Sequence, residues 1–183
     1  IIDRDRDYLG EFLPWTETTL AAKDTETFLK TAIDERAADP RERFLFMIEF
    51  LGDLAGLIDI RPGSNPASSL SDGMIGYWLA EPMQGRGIMT RSCRAVVEHG
   101  FSAMRLSRIT IHADVTNQPS RAIPKRLGFT YRGIESRLMP VWNRHVDMAR
   151  YDMAASDWVS KQGFSGSERF VLHEVTARCS RTR

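Results

Sequence analysis

The chain has 183 residues, 42% of them hydrophobic and 27% charged, a composition that is ordinary for one globular domain. The net charge is +1, so the basic surface typical of nucleic-acid-binding proteins is not expected. No apolar run reaches the 18 or so residues of a membrane span, and two cysteines are too few for a disulfide framework. We expect a cytoplasmic protein that contains no metal and binds neither nucleic acid nor membrane.

The first part of the sequence predicts one helix and three strands. Residues 24–38 have helical spacing, with Asp24 as the N-cap because aspartate is favoured there. The apolar face of this helix contains Phe28, Ala32 and Ile33. Strands are predicted at 43–50, 54–60 and 74–79, with a loop rich in Pro, Ser, Asn and Gly at 61–72.

The second part alternates helices and strands. From Met89 the apolar residues recur every three or four positions, which predicts a helix with one buried face. Cys93 lies on that face and Trp78 lies in a strand, so both are expected in the core. A strand at 108–114, a short helix at 119–127 and two strands near 129–134 and 145–151 follow. This order predicts an α/β protein with a mixed sheet.

A turn with two glycines joins the third strand to the long helix. It contains Gln84, Gly85, Arg86, Gly87, Ile88, Met89 and Thr90. Glycine has no Cβ and lets the backbone approach a ligand closely, and the first amides of a helix have no intrahelical partner. The turn therefore predicts a pyrophosphate site, although this spacing also fits an ordinary connection.

The run from Ile75 to Phe101 resembles the acetyl-CoA pyrophosphate loop of the GNAT superfamily of acetyltransferases. It is most similar to the RimJ/RimL branch, the ribosomal-protein-alanine N-acetyltransferases. Gln84 and Gly87 match the superfamily pattern, whereas Met89 departs from it at the last position. A second block, 117–129, resembles the Asn-x-x-Ser segment, short helix and Gly-Phe of the same branch. The resemblance implies the GNAT acyl-CoA N-acyltransferase fold.

The resemblance also implies an enzyme that uses acetyl-CoA as co-substrate and acetylates a primary amine by direct transfer. The expected acceptor is the N-terminal α-amino group of a protein or peptide. Residues 84–90 and Asn117 would hold acetyl-CoA between two splayed parallel strands, and Ser120 would hydrogen-bond the departing thiolate. Asn117 and Ser120 also fit ordinary turn or cap positions. An acetyltransferase for a small-molecule amine and a non-catalytic acetyl-CoA-binding module remain open as alternatives.

The general base is the least determined part of the implied site. The branch often carries a glutamate where this chain has Met139, so Glu135 would have to serve after a shift in register. His112, on a strand beside the cleft, and Asp59, on the second hairpin strand, are the other candidate catalytic residues. Both residues also fit ordinary structural hydrogen bonding.

The end of the sequence predicts a strand. GNAT members begin with a strand ahead of the first helix, whereas the first residues here resemble the middle of that helix. Residues 168–176 resemble the missing strand and follow a linker-like segment. We therefore expect a domain at 1–158 completed by a linker and tail strand within 159–183. The strand would pair in a permuted chain or across a homodimer; the alternative is an unrelated disordered tail.

Overall fold

A seven-stranded mixed sheet forms the centre of the molecule in the computed structural model. The structure describes residues 1–38, 43–63, 71–141, 144–158 and 170–176. The helices are α1 (Arg6–Gly10), α2 (Ala22–Ala38), α3 (Ile88–Ser102) and α4 (Gln118–Arg126). The strands are β1 (Phe44–Phe50), β2 (Asp53–Pro62), β3 (Asp72–Leu79), β4 (Arg108–Asp114), β5 (Thr130–Val141), β6 (Arg144–Ala154) and β7 (Phe170–Glu174).

The strand order is β5-β6-β4-β3-β2-β1-β7. Neighbouring strands run antiparallel except for β3 and β4, which are parallel. A parallel pair needs a crossover connection, and α3 forms most of it. The predicted α/β protein with a mixed sheet is therefore confirmed.

The main core lies between α3 and one face of the sheet. The apolar stripe predicted for this helix is buried, at Met89, Cys93, Val96, Val97 and Gly100. It packs against alternate strand residues, because successive side chains of a strand point to opposite faces; these include Ile58, Ile60, Ile75, Ile109 and Ile111. Each buried isoleucine contributes roughly 1.5–3 kcal/mol. Burial also raises the pKa of the Cys93 thiol, as expected for a structural cysteine.

Helix α2 packs on the opposite face of the sheet, over β1. Its Ala32 is buried with Leu45 of β1 and Val175, which directly follows β7. Phe28 is 42% exposed, so the buried stripe is narrower than its apolar sequence pattern indicates. This helix therefore contributes a small second core rather than a full layer.

The start of α2 corrects one prediction. The helix begins at Ala22, so the expectation that Asp24 is the N-cap was wrong. Asp24 lies in the first turn, where its carboxylate accepts hydrogen bonds from the amides of Leu20 and Ala21 at 2.9 and 2.8 Å. An acidic side chain in the first turn stabilises a helix because it lies at the positive end of the helix dipole. None of the helices within the described ranges has the length and apolar content needed to cross a membrane.

The β5–β6 hairpin is longer than predicted. The strand expected near 129–134 continues to Val141. The strand expected near 145–151 begins at Arg144 and continues to Ala154. The ladder shifts register twice, near Gly133 and again before Met139, and Gly133 has a φ of +115°. Bulges of this kind absorb extra residues without ending a strand.

The tail strand forms as predicted and pairs at the edge of the hairpin. β7 runs antiparallel to β1, with Phe170 opposite Phe50 and Glu174 opposite Phe46. Glu174 also forms an ion pair with Arg36 of α2 at 3.4 Å. These contacts lie within one chain, and they establish neither a permutation nor an exchange between subunits. The linker-like segment 161–167 and residues 177–183 lie outside the described residues.

His99 of α3 is expected to make stability depend on pH. Its ring lies edge-on to Phe44 at 4.6 Å, and burial lowers the pKa of His99, opposed by the charge of Glu174 and assisted by Arg36. The pKa of His99 is lower in the folded than in the unfolded protein. The contribution of His99 to the free energy of unfolding should therefore be fully present above about pH 6.5 and should decrease at lower pH. Replacing His99 with phenylalanine should reduce this dependence in urea unfolding at about pH 5 and 7.5.

The control for this prediction is His145→Gln, which changes an exposed histidine. It should leave the difference between the two pH values unchanged. Equal pH dependence in wild type and His99→Phe would show that the titration of His99 does not contribute.

Candidate active site

A cleft opens where the parallel strands β3 and β4 separate. Their ladder extends only from Asp72 opposite Arg108 to Ile75 opposite Ile111. Beyond Ile75, the edge of β3 that faces β4 has no strand partner in the part of the chain that the structure describes. A cleft of about 680 Å³ adjoins this separation, and Tyr77, Trp78 and Leu79 of β3 line it. The predicted gap between splayed parallel strands is therefore present.

The glycine turn forms one wall of the cleft. All the residues predicted to bind the cofactor at 84–90 line it. Gly85 and Gly87 have φ values of +72° and +69°, and no atom lies within 4 Å of a Cβ placed on either. Left-handed backbone favours glycine, and the open space leaves room for a ligand. Gly87 is the N-cap of α3, whose first turn contains no acidic residue.

Arginines add positive charge to this wall. Arg86 and Arg91 of this wall line the cleft, and so does Arg126 at the end of α4. The guanidinium of Arg86 lies 5.8 Å from the ring centre of Phe50, and that of Arg91 lies 5.9 Å from the ring centre of Phe170. Free helix amides together with cationic side chains form a site for a phosphate-bearing ligand. Because Phe170 belongs to β7, the tail strand also contacts Arg91 of this wall.

The N-terminus of α4 forms the opposite wall. Asn117 is its N-cap, and the Asn117 Oδ1 atom accepts a hydrogen bond from the Ser120 amide at 3.0 Å. The Ser120 hydroxyl lies 3.2 Å from the hydroxyl of Tyr77 on β3. All three residues line the cleft. The structure thus brings together the predicted residues Asn117 and Ser120 and the glycine turn.

Aromatic and aliphatic side chains close a third side. Tyr8, Leu9, Phe12, Leu13 and Trp78 line the cleft here. Trp78 was expected in the core, but it lies at the cleft with its ring centre 5.9 Å from that of Trp15. The segment is attached to the glycine turn, since Gln84 hydrogen-bonds the Tyr8 hydroxyl and the Asp5 carboxylate accepts from the Glu81 amide at 3.0 Å.

His112 lies at the mouth of the gap rather than in the lining of the cleft. It directly follows Ile111, the last β4 residue that pairs with β3, and its side chain is on the sheet face opposite α3. His112 Nε2 is 2.9 Å from a carboxylate oxygen of Glu135, and Arg150 donates to the other oxygen at 3.1 Å. The side chain of Met139, at the place of the family's glutamate, lies outside the described residues.

Asp59 lies on the same face as His112. Its ladder partner is Gly76, the first β3 residue beyond the paired region, and a Cβ on Gly76 would lie 2.7 Å from the Asp59 carboxylate. Arg43 and Arg61 approach this carboxylate at 3.2 and 3.4 Å. Burial raises the pKa of Asp59, and the two arginines oppose that change. Asp59 and His112 therefore lie on the two strands that flank β3, β2 and β4.

Tyr77 and the segment around Tyr8 were not predicted from the sequence as parts of the site. Tyr77 belongs to the run that carries the family resemblance, and its alternation with Ile75 and Leu79 indicates the α3 face. That alternation was the available signal. The segment around Tyr8 gave none, because its position depends on tertiary contacts to Glu81 and Gln84.

The comparison with family models decides the assignment. A model described as an acetyltransferase (GNAT) domain matches residues 2–130. This chain belongs to the GNAT acetyltransferase family. It is therefore a GNAT-family N-acetyltransferase that depends on acetyl-CoA.

Individual GNAT relatives agree with this assignment. The "Putative ribosomal N-acetyltransferase YdaF" of Bacillus subtilis (strain 168) is 29% identical over 164 residues, which cover 86% of this chain and 84% of that protein. The ribosomal-protein-serine acetyltransferase of Escherichia coli (strain K12) is 26% identical over 133 residues, 73% of this chain and 72% of that protein. The structure of Mycobacterium smegmatis RimJ in complex with CoA-disulfide has a TM-score of 0.73 at 26% identity, covering 84% of this chain and 73% of that chain.

The described residues fit the co-substrate of a GNAT enzyme. Two left-handed glycines with open space beside them, the first amides of α3 and three arginines suit the pyrophosphate and phosphate groups of acetyl-CoA. No group of three or more His, Cys, Asp or Glu side chains within the described ranges is placed to hold a metal ion. The donor set at the cleft thus matches a phosphate-bearing co-substrate.

Proposed function

We propose that this GNAT enzyme acetylates the N-terminal α-amino group of a protein or peptide by direct transfer from acetyl-CoA. The observation that carries the proposal is the cleft beside the separated strands β3 and β4, with the glycine turn on one wall and Ser120 on the other. The names of the ribosomal-protein relatives support a protein N-terminus as the acceptor.

Acetyl-CoA, when bound, supplies a thioester whose acyl carbon is attacked by the amine. Residues 84–90, with Asn117, would hold it. The main-chain amides of β3 beyond Ile75 that face β4 would donate to the acyl oxygen, where negative charge develops during attack. Ser120 would hydrogen-bond the sulfur as it becomes a thiolate.

The amine must lose a proton, and His112 is the best placed candidate to accept it. Histidine is the side chain that most often acts as a general base. Glu135 holds the His112 ring from the side away from the gap, and Arg150 holds Glu135 in turn. Asp59 is already engaged by Arg43 and Arg61. We therefore assign it the role of orienting the acceptor at the mouth of the gap.

The test is mass spectrometry of a panel of acceptors incubated with the enzyme and acetyl-CoA or succinyl-CoA. Peptides with a free α-amino group should gain one acetyl group, and the same peptides with a blocked N-terminus should not. Product from small amines alone would move the function to a small-molecule acetyltransferase. Binding of acetyl-CoA without any product would support the non-catalytic alternative.

Ser120→Ala should lower kcat by about ten- to a thousandfold while changing the affinity for acetyl-CoA little, because the lost hydrogen bond forms mainly in the transition state. Steady-state kinetics with the preferred acceptor measures this. The control is Ser102→Ala, an exposed serine at the end of α3, which should turn over like wild type. Undiminished kcat in Ser120→Ala would leave Ser120 as a structural residue of α4.

A further inference from the structure

Tyr77 links the separated part of β3 to α4. It lies two residues beyond Ile75, the last β3 residue paired with β4. Its hydroxyl is 3.2 Å from both the Oγ atom and the carbonyl oxygen of Ser120, 43 residues further along the chain. The Ser120 amide also donates a hydrogen bond to the Asn117 side chain. Together the two contacts fix both the main chain and the side chain of Ser120.

The chemistry of the three oxygen atoms limits which group donates. A serine hydroxyl has one proton to donate and two lone pairs that accept, whereas a carbonyl oxygen only accepts. The Tyr77 hydroxyl therefore donates to the Ser120 carbonyl oxygen, and at the Ser120 Oγ atom either hydroxyl can be the donor. Burial raises the pKa of Tyr77, so the phenol remains a protonated donor.

We propose that Tyr77 is a positioning residue for Ser120: its hydroxyl donates to the Ser120 carbonyl oxygen and contacts the Oγ atom, and these two contacts hold the Ser120 hydroxyl at the wall of the cleft. This inference rests on the proposed role of Ser120 in acetyl transfer. In that reaction the C–S bond breaks, the sulfur retains the electron pair as a thiolate, and the amine nitrogen forms the new C–N bond. The amine gives one proton to His112, and Ser120 stabilises the thiolate without losing its own proton.

The test is a double-mutant cycle measured by steady-state kinetics on the full chain. Tyr77→Phe should lower kcat about three- to tenfold, the size of one neutral hydrogen bond, and leave the KM for acetyl-CoA within about twofold. In the Ser120→Ala background the same change should alter kcat by less than about twofold, because interacting residues are not additive. A general loosening of the cleft would lower kcat equally in both backgrounds.

Two further variants make the result decisive. Tyr151→Phe is the matched control, since Tyr151 is fully buried on the same face and its hydroxyl accepts from Arg121 instead. It should keep wild-type kcat. If Tyr77→Phe does not fold, 4-fluorophenylalanine at position 77 replaces it, because fluorine fills the volume of the hydroxyl without donating a proton. The fluorinated variant should show the same loss of kcat, and only when Ser120 is present.

Three outcomes would overturn the proposal: equal losses in both backgrounds, an effect on KM alone, or the same loss in Tyr151→Phe. The cycle uses whichever amine the wild-type enzyme acetylates. Failure on peptides but activity on small amines would therefore reject the proposed acceptor while leaving the Tyr77 test intact.

Discussion

A protein that lacks residues 164–183 is expected to be insoluble or far less stable than the full chain. The deletion removes the backbone ladder between β7 and β1, the buried side chain of Val175 and the ion pair of Glu174 with Arg36. The loss is on the order of 5 kcal/mol, which is comparable with the whole stability of a domain. It also exposes the edge of β1, and unpaired edges promote aggregation.

The matched control is a protein that lacks only 177–183 and retains β7. It should melt close to the temperature of the full chain, whereas the longer deletion should not. Val171→Pro tests the same strand with a single change, since the Val171 amide, opposite Glu49, faces β1 and proline cannot donate to a ladder. If the longer deletion melted at the same temperature as the full chain, our proposal that 159–183 complete the same domain as 1–158 would be rejected. Gel filtration of the full chain separates pairing within one chain from exchange between two.

Gly87→Val is expected to abolish the thermal stabilisation that acetyl-CoA gives to wild type. Valine is strained at a φ of +69°, and its side chain would fill the open space next to the first amides of α3. At about 100 times its dissociation constant a ligand stabilises a protein by about 2.7 kcal/mol. In a domain of this size that is a rise of roughly 5–10 °C, which differential scanning fluorimetry measures.

Gly52→Val is the control for strain alone. Gly52 lies in the turn between β1 and β2 with a φ of +91°, and no atom lies within 4 Å of its Cβ position. The variant should lower the melting temperature of the free protein but preserve the rise caused by acetyl-CoA. An undiminished rise in Gly87→Val would reject the glycine turn as the pyrophosphate site.

Local patterns predicted the elements whose determinants lie close together in the sequence. The apolar period of α3 starting at Met89 and the two glycines before it required nothing beyond their own segment. The start of α2 was misplaced by two residues, because an aspartate in the first turn resembles an N-cap in sequence. The β5–β6 hairpin was predicted too short, because Pro140 normally ends a strand and bulges, such as the one at Gly133, are not visible in a single sequence.

The candidate site was predicted only as far as its local segments extend. The glycine turn and the Asn117–Ser120 cap are each contained in one short stretch, and the structure brings them to one cleft. The contact of Tyr77 with Ser120 spans 43 residues, and that of His112 with Glu135 spans 23. Such pairs depend on sheet order and register, which alternation along one strand does not determine.

The pairing of β7 with β1 has a consequence for synthesis of the protein. Phe50 is translated 120 residues before its partner Phe170, and ribosomes add about 5–20 residues per second. The edge of β1, which contains Phe46, Ile48 and Phe50, therefore lacks its neighbour β7 for roughly 6–24 seconds after it has been synthesised. During that interval the nascent chain resembles the truncated protein. We expect chaperones that shield apolar strand edges to determine how much of this enzyme reaches its native state.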